Sequence, residues 1–386
     1  MKVGFVSHLY PTRRLPTVGN FIKDELDNLS TLVEIQLLAP LAIQRWYGEI
    51  HKETTTRGYS VVRPIFLSFP HWFLQDLTPS SMACTLKYVG KTFFRSCEIV
   101  HAHYAFPDGI ATIIAFGKRL PVIITTHGSD INYFAKKHHL KTLVIEKLSM
   151  AQRVICVSTS LKNTLQKMGV TSDIEVIPNG VDTSVFSPGD KTLSSQILNL
   201  VPDRPRVLFV GNFKPVKGIE YLIRAMPEVV QQYPGCECIL LGAEPSGNDA
   251  MRYRKTIRDA GVINVMNIVH KVPHADLPHW MRASDVLVLP SISEGFGLVA
   301  AEALACGIPV VSTCSGGPED IVEEGMGVLV PPKNASALAK AIIAVFSGNG
   351  IQSPELIAQS AHRRFSYNEV CRRIFNMYND VVRNYC

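Results

Sequence analysis

The chain has 386 residues, which is long for one ordinary domain, so two domains are expected. Hydrophobic residues make up 46% of it and charged residues 19%, a composition that excludes a disordered chain and leaves enough apolar side chains for two cores. No apolar run reaches the roughly 18 residues that a membrane-spanning helix needs. The first residues, Met1–Ser7, are typical of a β-strand rather than of a signal peptide, so we expect a cytoplasmic protein.

The net charge of +6 is unevenly distributed. Residues 1–186 contain 20 Lys and Arg against 14 Asp and Glu, whereas residues 187–386 contain 19 of each. A basic half can face an anionic lipid surface, a polyanionic acceptor or a nucleic acid. Since no nucleic-acid-binding motif is present, we expect contact with a polyanion or with the inner face of the cell membrane, and no nucleic-acid partner.

Short runs rich in Val, Ile and Leu alternate with amphipathic helical stretches along the chain. In chain order, the predicted strands are Lys2–Ser7, Val33–Leu38, Glu98–His101, Val122–Thr126, Arg153–Val157, Glu175–Ile177, Arg206–Val210, Glu237–Leu241, Asn264–Ile268, Val286–Leu289, Val310–Ser312 and Val328–Val330. This alternation predicts an α/β fold whose parallel sheets are covered by helices on both faces.

Two segments depart from the alternation. Residues 187–205 are rich in Pro, Asp and Ser, so we predict a linker there between Rossmann-like domains at 1–186 and 206–364, with a closing helix over 365–386. The segment Trp46–Asp76 combines aromatic and basic residues, and it is either an acceptor or membrane contact or a strand with an ordinary aromatic-packed loop.

The nine cysteines do not have the spacing of metal ligands. We therefore expect buried, reduced thiols and no metal site.

The segment Leu289–Val311 carries the strongest functional signal. An apolar strand ends in a Glu-Gly-Phe-Gly loop, which leads into an Ala-rich helix, so the loop lies where α/β folds bind ligands. The start of that helix offers backbone N–H donors to an anion. These donors belong to Phe296, Gly297 and Leu298. Two carboxylates, Glu294 and Glu302, flank the anion site, and this combination suggests a nucleotide sugar.

Six motifs resemble, in order and spacing, those of the retaining GT-B glycosyltransferases of family 4. They are His101-Ala102-His103 with Pro107-Asp108-Gly109, Thr126–Asp130, Ile177–Asp182, Val210–Phe213 with Lys217-Gly218, Ser293–Glu302, and Ser315–Asp320. The resemblance implies two Rossmann-like domains facing across a cleft, with a C-terminal helix that crosses back to the N-terminal domain. It also implies a nucleotide-sugar donor on the C-terminal domain, an acceptor on the N-terminal domain, and retention of anomeric configuration without an obligatory metal or other cofactor.

Glycosyl transfer develops positive charge at the anomeric carbon and negative charge on the departing diphosphate, so the phosphates need cationic or N–H donors. Lys217 fits that role. The resemblance assigns Glu302 to the ribose hydroxyls. It assigns Glu294, which contacts the transferred sugar, and His127, which lies near that sugar, to the catalytic residues. A histidine at a strand end can instead cap backbone carbonyls, and a helical carboxylate such as Glu302 can instead pair with a surface cation.

The remaining candidates lie in neighbouring loops. Gly19 is a donor-side candidate because family members have a Gly-Gly pair there. The acceptor or sugar side is assigned to His103, Asp108, Gly316 and Gly317. Asn212 stands where the family usually has Arg, which removes an expected cation from the diphosphate site.

These residues predict a retaining hexosyltransferase that moves a sugar from a UDP- or GDP-sugar to a polysaccharide, lipid-linked or other glycoconjugate acceptor. One alternative is a nucleotide-sugar epimerase of the same fold. Another is a catalytically inactive sugar-nucleotide-binding protein, which Asn212 favours. The pattern Gly-x-Gly-x-x-Gly does not follow the first strand, which argues against an NAD enzyme.

Overall fold

A computed structural model describes residues 1–45, 51–70, 74–134, 137–242, 248–270 and 272–385. Its strands are β1 (Lys2–Val6), β2 (Glu34–Leu38), β3 (Leu41–Ala42), β4 (Lys52–Thr54), β5 (Ser60–Val62), β6 (Ile65–Phe66), β7 (Ile99–His103), β8 (Val122–Thr126), β9 (Arg153–Cys156), β10 (Ile174–Val176), β11 (Arg206–Val210), β12 (Glu237–Leu241), β13 (Met266–Val269), β14 (Val286–Leu289), β15 (Val310–Thr313) and β16 (Gly327–Val330). Its helices are α1 (Asn20–Leu29), α2 (Thr78–Phe93), α3 (Ile110–Phe116), α4 (Ser129–Phe134), α5 (His138–Leu148), α6 (Thr159–Met168), α7 (Lys191–Ile197), α8 (Ile219–Gln232), α9 (Asn248–Asp259), α10 (Leu277–Arg282), α11 (Leu298–Ala305), α12 (Ala335–Phe346), α13 (Pro354–Phe365) and α14 (Tyr367–Tyr385). Among these described helices, each is too short or too polar to cross a membrane.

The chain folds into two compact units. The first comprises Met1–Gly180 and Tyr367–Cys386, and the second comprises Val181–Ser366. Residues 187–205, assigned to a linker by sequence, lie within the second unit and contain α7. The buried guanidinium of Arg206 holds this segment, since it donates hydrogen bonds to the carbonyl of Val201 at 2.9 Å and to Ser195 Oγ at 3.5 Å.

The first unit contains an eight-stranded sheet in the order β10-β9-β8-β7-β1-β2-β5-β4. Its pairings are parallel except that of β4 with β5, and β3 pairs with β6 in a separate two-stranded sheet. Strand β1 has β2 on one side and β7 on the other, so the direction of strand succession reverses there. The loops that follow β1 and β7 therefore meet at a topological switch point, where α/β folds bind ligands.

The aromatic and basic segment over 46–76 contributes strands to the sheets, in agreement with the interpretation as a strand with a packed loop. Strand β5 extends the main sheet beside β2, and β4 pairs with β5 at the edge. The interpretation of this segment as an acceptor or membrane contact was based on its aromatic residues, and four of these lie outside the described residues. These are Trp46, Tyr47, Trp72 and Phe73.

The closing helix α14 belongs to the core of the first unit. Its Ile374 and Tyr378 are buried in one apolar cluster with Val3 and Phe5 of β1 and Leu26 of α1. Burial of such side chains contributes about 1.5–3 kcal/mol each, which fixes the helix on this unit. The prediction that a C-terminal helix crosses back to the N-terminal domain is confirmed.

The second unit contains a six-stranded sheet, parallel throughout, in the order β13-β12-β11-β14-β15-β16. This is the 3-2-1-4-5-6 order of a Rossmann fold. Val207, Leu208 and Phe209 of β11 are fully buried, as expected for a central strand covered on both faces. The switch point lies between β11 and β14, and the predicted α/β class with parallel Rossmann-like sheets is confirmed.

Candidate functional site

Three loops of the second unit meet at the switch point, and Glu294 connects them. The backbone N–H of Ile292 donates to the carbonyl of Val216 at 2.8 Å, which ties the loop after β14 to the loop after β11. The N–H of Glu294 donates to the carbonyl of Ser315 at 2.9 Å, and Gly317 donates back to the carbonyl of Glu294 at 3.2 Å. The backbone of the Glu294 loop is therefore held by both neighbouring loops.

Lys217 and Glu294 form an ion pair at this junction. Lys217 Nζ lies 2.6 Å from Glu294 Oε2, and Ser291 Oγ donates to the same oxygen at 3.0 Å. The two charged side chains are 27% and 14% exposed, so water screens them less than a fully exposed pair. An anionic ligand at Lys217 would compete with the Glu294 carboxylate for the ammonium group.

Helix α11 begins at Leu298, directly after Gly297, whose φ is +98°. No side chain caps this terminus, so its first N–H groups are not used by a cap. Phe296 is different, because its side chain is buried and packs edge-on against Phe365 with ring centroids 5.9 Å apart. Only the backbone of Phe296 is available to a ligand.

Glu302 lies within the same helix and is 5% exposed. Its Oε1 lies 2.8 Å from Nε2 of His274, a residue that the sequence did not single out. His274 follows β13, on the edge of the sheet where the loops after parallel strands gather, and that position is the signal that could have identified it.

The glycines after β15 are placed differently from each other. The N–H of Gly316 is occupied by the carboxylate of Glu319, at 3.1 and 2.9 Å from its two oxygens. A Cβ on Gly317 would lie 2.2 Å from the carbonyl oxygen of Phe296, so only glycine allows these two loops to approach. Asn212 and nearby Lys214 are both exposed at the end of β11.

In the first unit, His103 lies between His127 and Glu25. His103 Nδ1 is 3.3 Å from His127 Nε2, and His103 Nε2 is 3.5 Å from Glu25 Oε1. Burial lowers the pKa of His103 to about 3 and that of His127 well below its ordinary value, where the neighbouring His103 contributes as well. Burial raises the pKa of Glu25 to about 8. Both imidazoles are therefore neutral at pH 7, and His127 acts as a hydrogen-bonding group rather than a cation.

Asp130 positions the backbone around His127. Its carboxylate accepts hydrogen bonds from the N–H groups of His127 at 3.1 Å, Gly128 at 2.8 Å and Ala105 at 2.7 Å, which joins the loops after β7 and β8. The ring of Tyr104 packs 4.7 Å from the His127 ring. His127 is therefore held in a defined place at the carboxyl edge of the sheet.

Asp108 pairs with His8, which the sequence did not single out. Asp108 is fully buried, accepts the backbone N–H of His8 at 2.7 Å, and also contacts His8 Nδ1 through its other oxygen. A carboxylate at Nδ1 keeps a proton on that nitrogen, so Nε2 is the hydrogen-bond acceptor in the neutral form of the imidazole. His8 comes directly after the first strand, at the switch point, which is the signal that could have identified it.

Gly19 lies at the start of α1 in the first unit, with φ +74°. A Cβ there would lie 2.0 Å from the carbonyl oxygen of Leu9, so glycine is required where α1 meets the loop after β1.

Glu25, His101 and His103 have potential ligand atoms within 4.8 Å of one another. Both ring nitrogens of His101 are already used, since Nδ1 bonds to the Tyr378 hydroxyl at 2.6 Å and Nε2 to Thr125 Oγ1 at 2.7 Å. Two ligand atoms remain, fewer than the three protein ligands usual even at an open metal site. We therefore assign this group to the buried interior of the unit.

Sequence comparison identifies the class to which this fold and site belong. The model of the family described as Glycosyltransferase Family 4 matches residues 21–185, and that of Glycosyl transferases group 1 matches residues 190–364. A D-inositol 3-phosphate glycosyltransferase of Acidothermus cellulolyticus is 33% identical over 306 residues, covering 74% of this chain and 67% of that protein. TuaC of Bacillus subtilis, whose name refers to a glycosyltransferase role in teichuronic acid biosynthesis, is 26% identical over 404 residues and 99% of each chain.

Among solved structures, HepE of Anabaena in complex with UDP has a TM-score of 0.76 at 20% identity, covering 98% of this chain and 100% of that one. The protein is thus a glycosyltransferase with a GT-B fold. It belongs to the family 4, group 1 glycosyltransferases.

Proposed function

We propose that this protein transfers a sugar from a UDP- or GDP-sugar, bound by the second unit, to an acceptor bound by the first. The observation that carries the donor proposal is the Lys217–Glu294 ion pair beside the uncapped start of α11, at the switch point of a Rossmann sheet. Solved complexes of HepE with UDP and with UDP-glucose support a nucleotide-sugar donor. The nucleotide sugar is a substrate, and we propose no metal or other cofactor.

Each donor residue has a role that its chemistry favours. Lys217 exchanges its bond to Glu294 for the diphosphate and stabilises the charge that grows on the leaving group. Backbone N–H groups of Phe296, Gly297 and Leu298 add donors to the phosphates. Glu302 exchanges His274 for the ribose hydroxyls, since an ionised carboxylate accepts from two neighbouring hydroxyls.

Glu294, once released from Lys217, accepts hydroxyls of the transferred sugar. His127 is the catalytic residue of the first unit, and it acts as a neutral hydrogen-bonding group toward that sugar. We propose retention of anomeric configuration on the family resemblance, with the leaving phosphate taking the acceptor proton. His103, Asp108, Gly316 and Gly317 border the sugar or acceptor, and Gly19 contributes to the donor side.

A panel of UDP- and GDP-sugars, read by the shift in melting temperature, tests the donor proposal, because a ligand that binds only the folded state raises that temperature. We expect the sugars of one nucleotide, either UDP or GDP, to raise the melting temperature of wild type. Glu302→Gln should lose most of this increase. Glu324→Gln, an exposed carboxylate, is the control. If no nucleotide sugar shifts the melting temperature, the donor site is wrong.

Release of free nucleoside diphosphate with and without acceptor separates transfer from the epimerase alternative. We expect release to depend on acceptor, and proton NMR of the product to show the anomeric configuration of the donor. An epimerised nucleotide sugar formed without acceptor, or an inverted product, would contradict the corresponding part of the proposal.

For the acceptor, we propose a cell-envelope polysaccharide or a lipid-linked glycan at the inner face of the membrane. The name of TuaC supports a polysaccharide, and the excess of basic residues in the first half supports an anionic surface. On α2, exposed Lys87 and Lys91 lie beside Tyr88, which is 85% exposed. Binding to vesicles should increase with anionic lipid, decrease with salt, and weaken in Lys87→Gln/Lys91→Gln. Binding that is indifferent to lipid charge would refute membrane contact.

A further inference from the structure

The three side chains Glu25, His103 and His127 form a chain that ends in a nitrogen without a partner. Glu25 is 4% exposed and His103 is fully buried. Within the described part of the chain, neither Glu25 Oε1 nor His103 Nε2 has a hydrogen-bond partner, and neither does His127 Nδ1. A buried polar atom left without a partner destabilises the folded state, so an arrangement that pairs these atoms is favoured.

The first two of these atoms face each other at 3.5 Å, a few tenths of an ångström beyond an ordinary hydrogen bond. A small movement of the Glu25 side chain joins them and removes both penalties. Since His103 Nδ1 already lies 3.3 Å from His127 Nε2, two proton arrangements can then link all three groups, one for each protonation state of Glu25.

We propose that Glu25 is a positioning residue, which acts through His103 to decide whether His127 Nδ1 is a hydrogen-bond donor or an acceptor. This inference rests on the proposed role of His127 toward the sugar. It assigns a function to a buried helix residue outside the proposed donor and acceptor residues.

The proton balance follows from the geometry. A protonated Glu25 donates to His103 Nε2, so the His103 proton lies on Nδ1 and is donated to His127 Nε2, and His127 carries its own proton on Nδ1. When Glu25 loses its proton, each imidazole moves its proton to the opposite nitrogen, and His127 Nδ1 becomes a lone pair. One proton leaves the group, and both histidines stay neutral throughout.

The surroundings favour the first arrangement at neutral pH. Glu25 faces His103 and His101 from β7, and Tyr378 and Cys371 from α14. At neutral pH none of these carries a positive charge that would stabilise the Glu25 carboxylate, because burial lowers the pKa of both histidines.

Around His127, the neighbours are His103, the rings of Phe21 and Tyr104, and Asp130, whose carboxylate is directed to backbone N–H groups.

Burial raises the pKa of Glu25 to about 8, so the exchange of tautomers falls near that pH. The bound sugar therefore meets an N–H donor below that pH and a lone pair above it.

Nitrogen-15 NMR of the full chain labelled in histidine tests this directly, with the His127 signals identified by their loss in His127→Gln. In wild type, we expect the His127 proton to move from Nδ1 to Nε2 between about pH 7 and 9. Glu25→Gln, which has the same shape and does not titrate, should show one unchanged pattern over that range. Glu34→Gln, whose carboxylate is 68% exposed, is the control and should behave as wild type.

The proposal is overturned if wild type shows no exchange, or if Glu25→Gln still shows it. A second arm measures kcat/KM against pH with the donor that the panel identifies. We expect wild type to lose about tenfold across the same interval, the value of one hydrogen bond, and Glu25→Gln to lose that step. If no donor supports transfer, the proposed function fails, and the NMR result still decides the role of Glu25.

Discussion

Replacement of Glu294 by Gln should make the protein bind its nucleoside diphosphate more tightly while transfer is lost. In the unliganded site the Glu294 carboxylate holds the Lys217 ammonium at 2.6 Å, and a diphosphate must displace it. A fully exposed ion pair contributes about 0–1 kcal/mol and a hydrogen bond to a charged group about 1.5–3 kcal/mol. The contribution of this partly buried Lys217–Glu294 pair lies between those two values, at about 1–2 kcal/mol. Removing the pair should therefore tighten diphosphate binding roughly 5- to 30-fold.

Isothermal titration calorimetry with the nucleoside diphosphate and with its nucleoside measures the effect. Lys217→Met should weaken diphosphate binding by about 10- to 100-fold, and nucleoside affinity should be unchanged in both variants. Glu324→Gln removes the same charge from an exposed position and controls for net charge. The reasoning is refuted if Glu294→Gln leaves diphosphate affinity unchanged or lowers it, or if nucleoside affinity changes in parallel.

Three further predictions concern the loops and buried groups. Gly317→Ala should lower the free energy of unfolding by about 2 kcal/mol and abolish stabilisation by nucleotide, measured by thermal unfolding with and without ligand, because its Cβ would meet the Phe296 carbonyl at 2.2 Å. Burial raises the pKa of Glu25 from 4.5 to about 8, so the folded state keeps a proton that the unfolded state loses. The free energy of unfolding of wild type relative to Glu25→Gln should therefore fall as pH rises across that range, by at most about 1.4 kcal/mol per pH unit. Denaturant titrations measure it, and a difference that stays constant with pH would contradict the prediction. Asp108→Asn should reduce kcat/KM by tenfold or more with an unchanged melting temperature, because the side-chain amide would donate to His8 and reverse the tautomer of the His8 imidazole. Unchanged turnover would remove Asp108 from the site.

The strands could be predicted because their residues carry the signal locally. After Arg206, the β11 segment is an apolar run, as a central parallel strand requires, and its observed bounds equal the predicted ones. By contrast, β4 and β5 are three residues each, and the sequence did not predict their separate bounds. Pairing with β2, a strand outside the segment, stabilises β5, and β4 in turn pairs with β5.

For the candidate site, the sequence by itself predicted Lys217, Glu294 and Glu302, because loop glycines and a helix start after an apolar strand are typical of a ligand-binding edge. Tertiary structure alone decided what each of them touches. Lys217 and Glu294 are 77 residues apart along the chain, and Glu302 is 28 residues from His274. Parallel strands bring the ends of distant segments to one edge, so these contacts depend on strand order.

In the first unit, too, the sequence identified some of the residues and the tertiary structure decided their contacts. His103 and His127 could be selected from their positions at strand ends, but Glu25 is a helix residue with no local mark of function. Its contact with His103 exists because α1 packs against the sheet and α14 covers it, which buries a carboxylate that water would otherwise ionise. The sequence determined the residue types that the chemistry requires, and packing between distant segments decided their protonation and their partners.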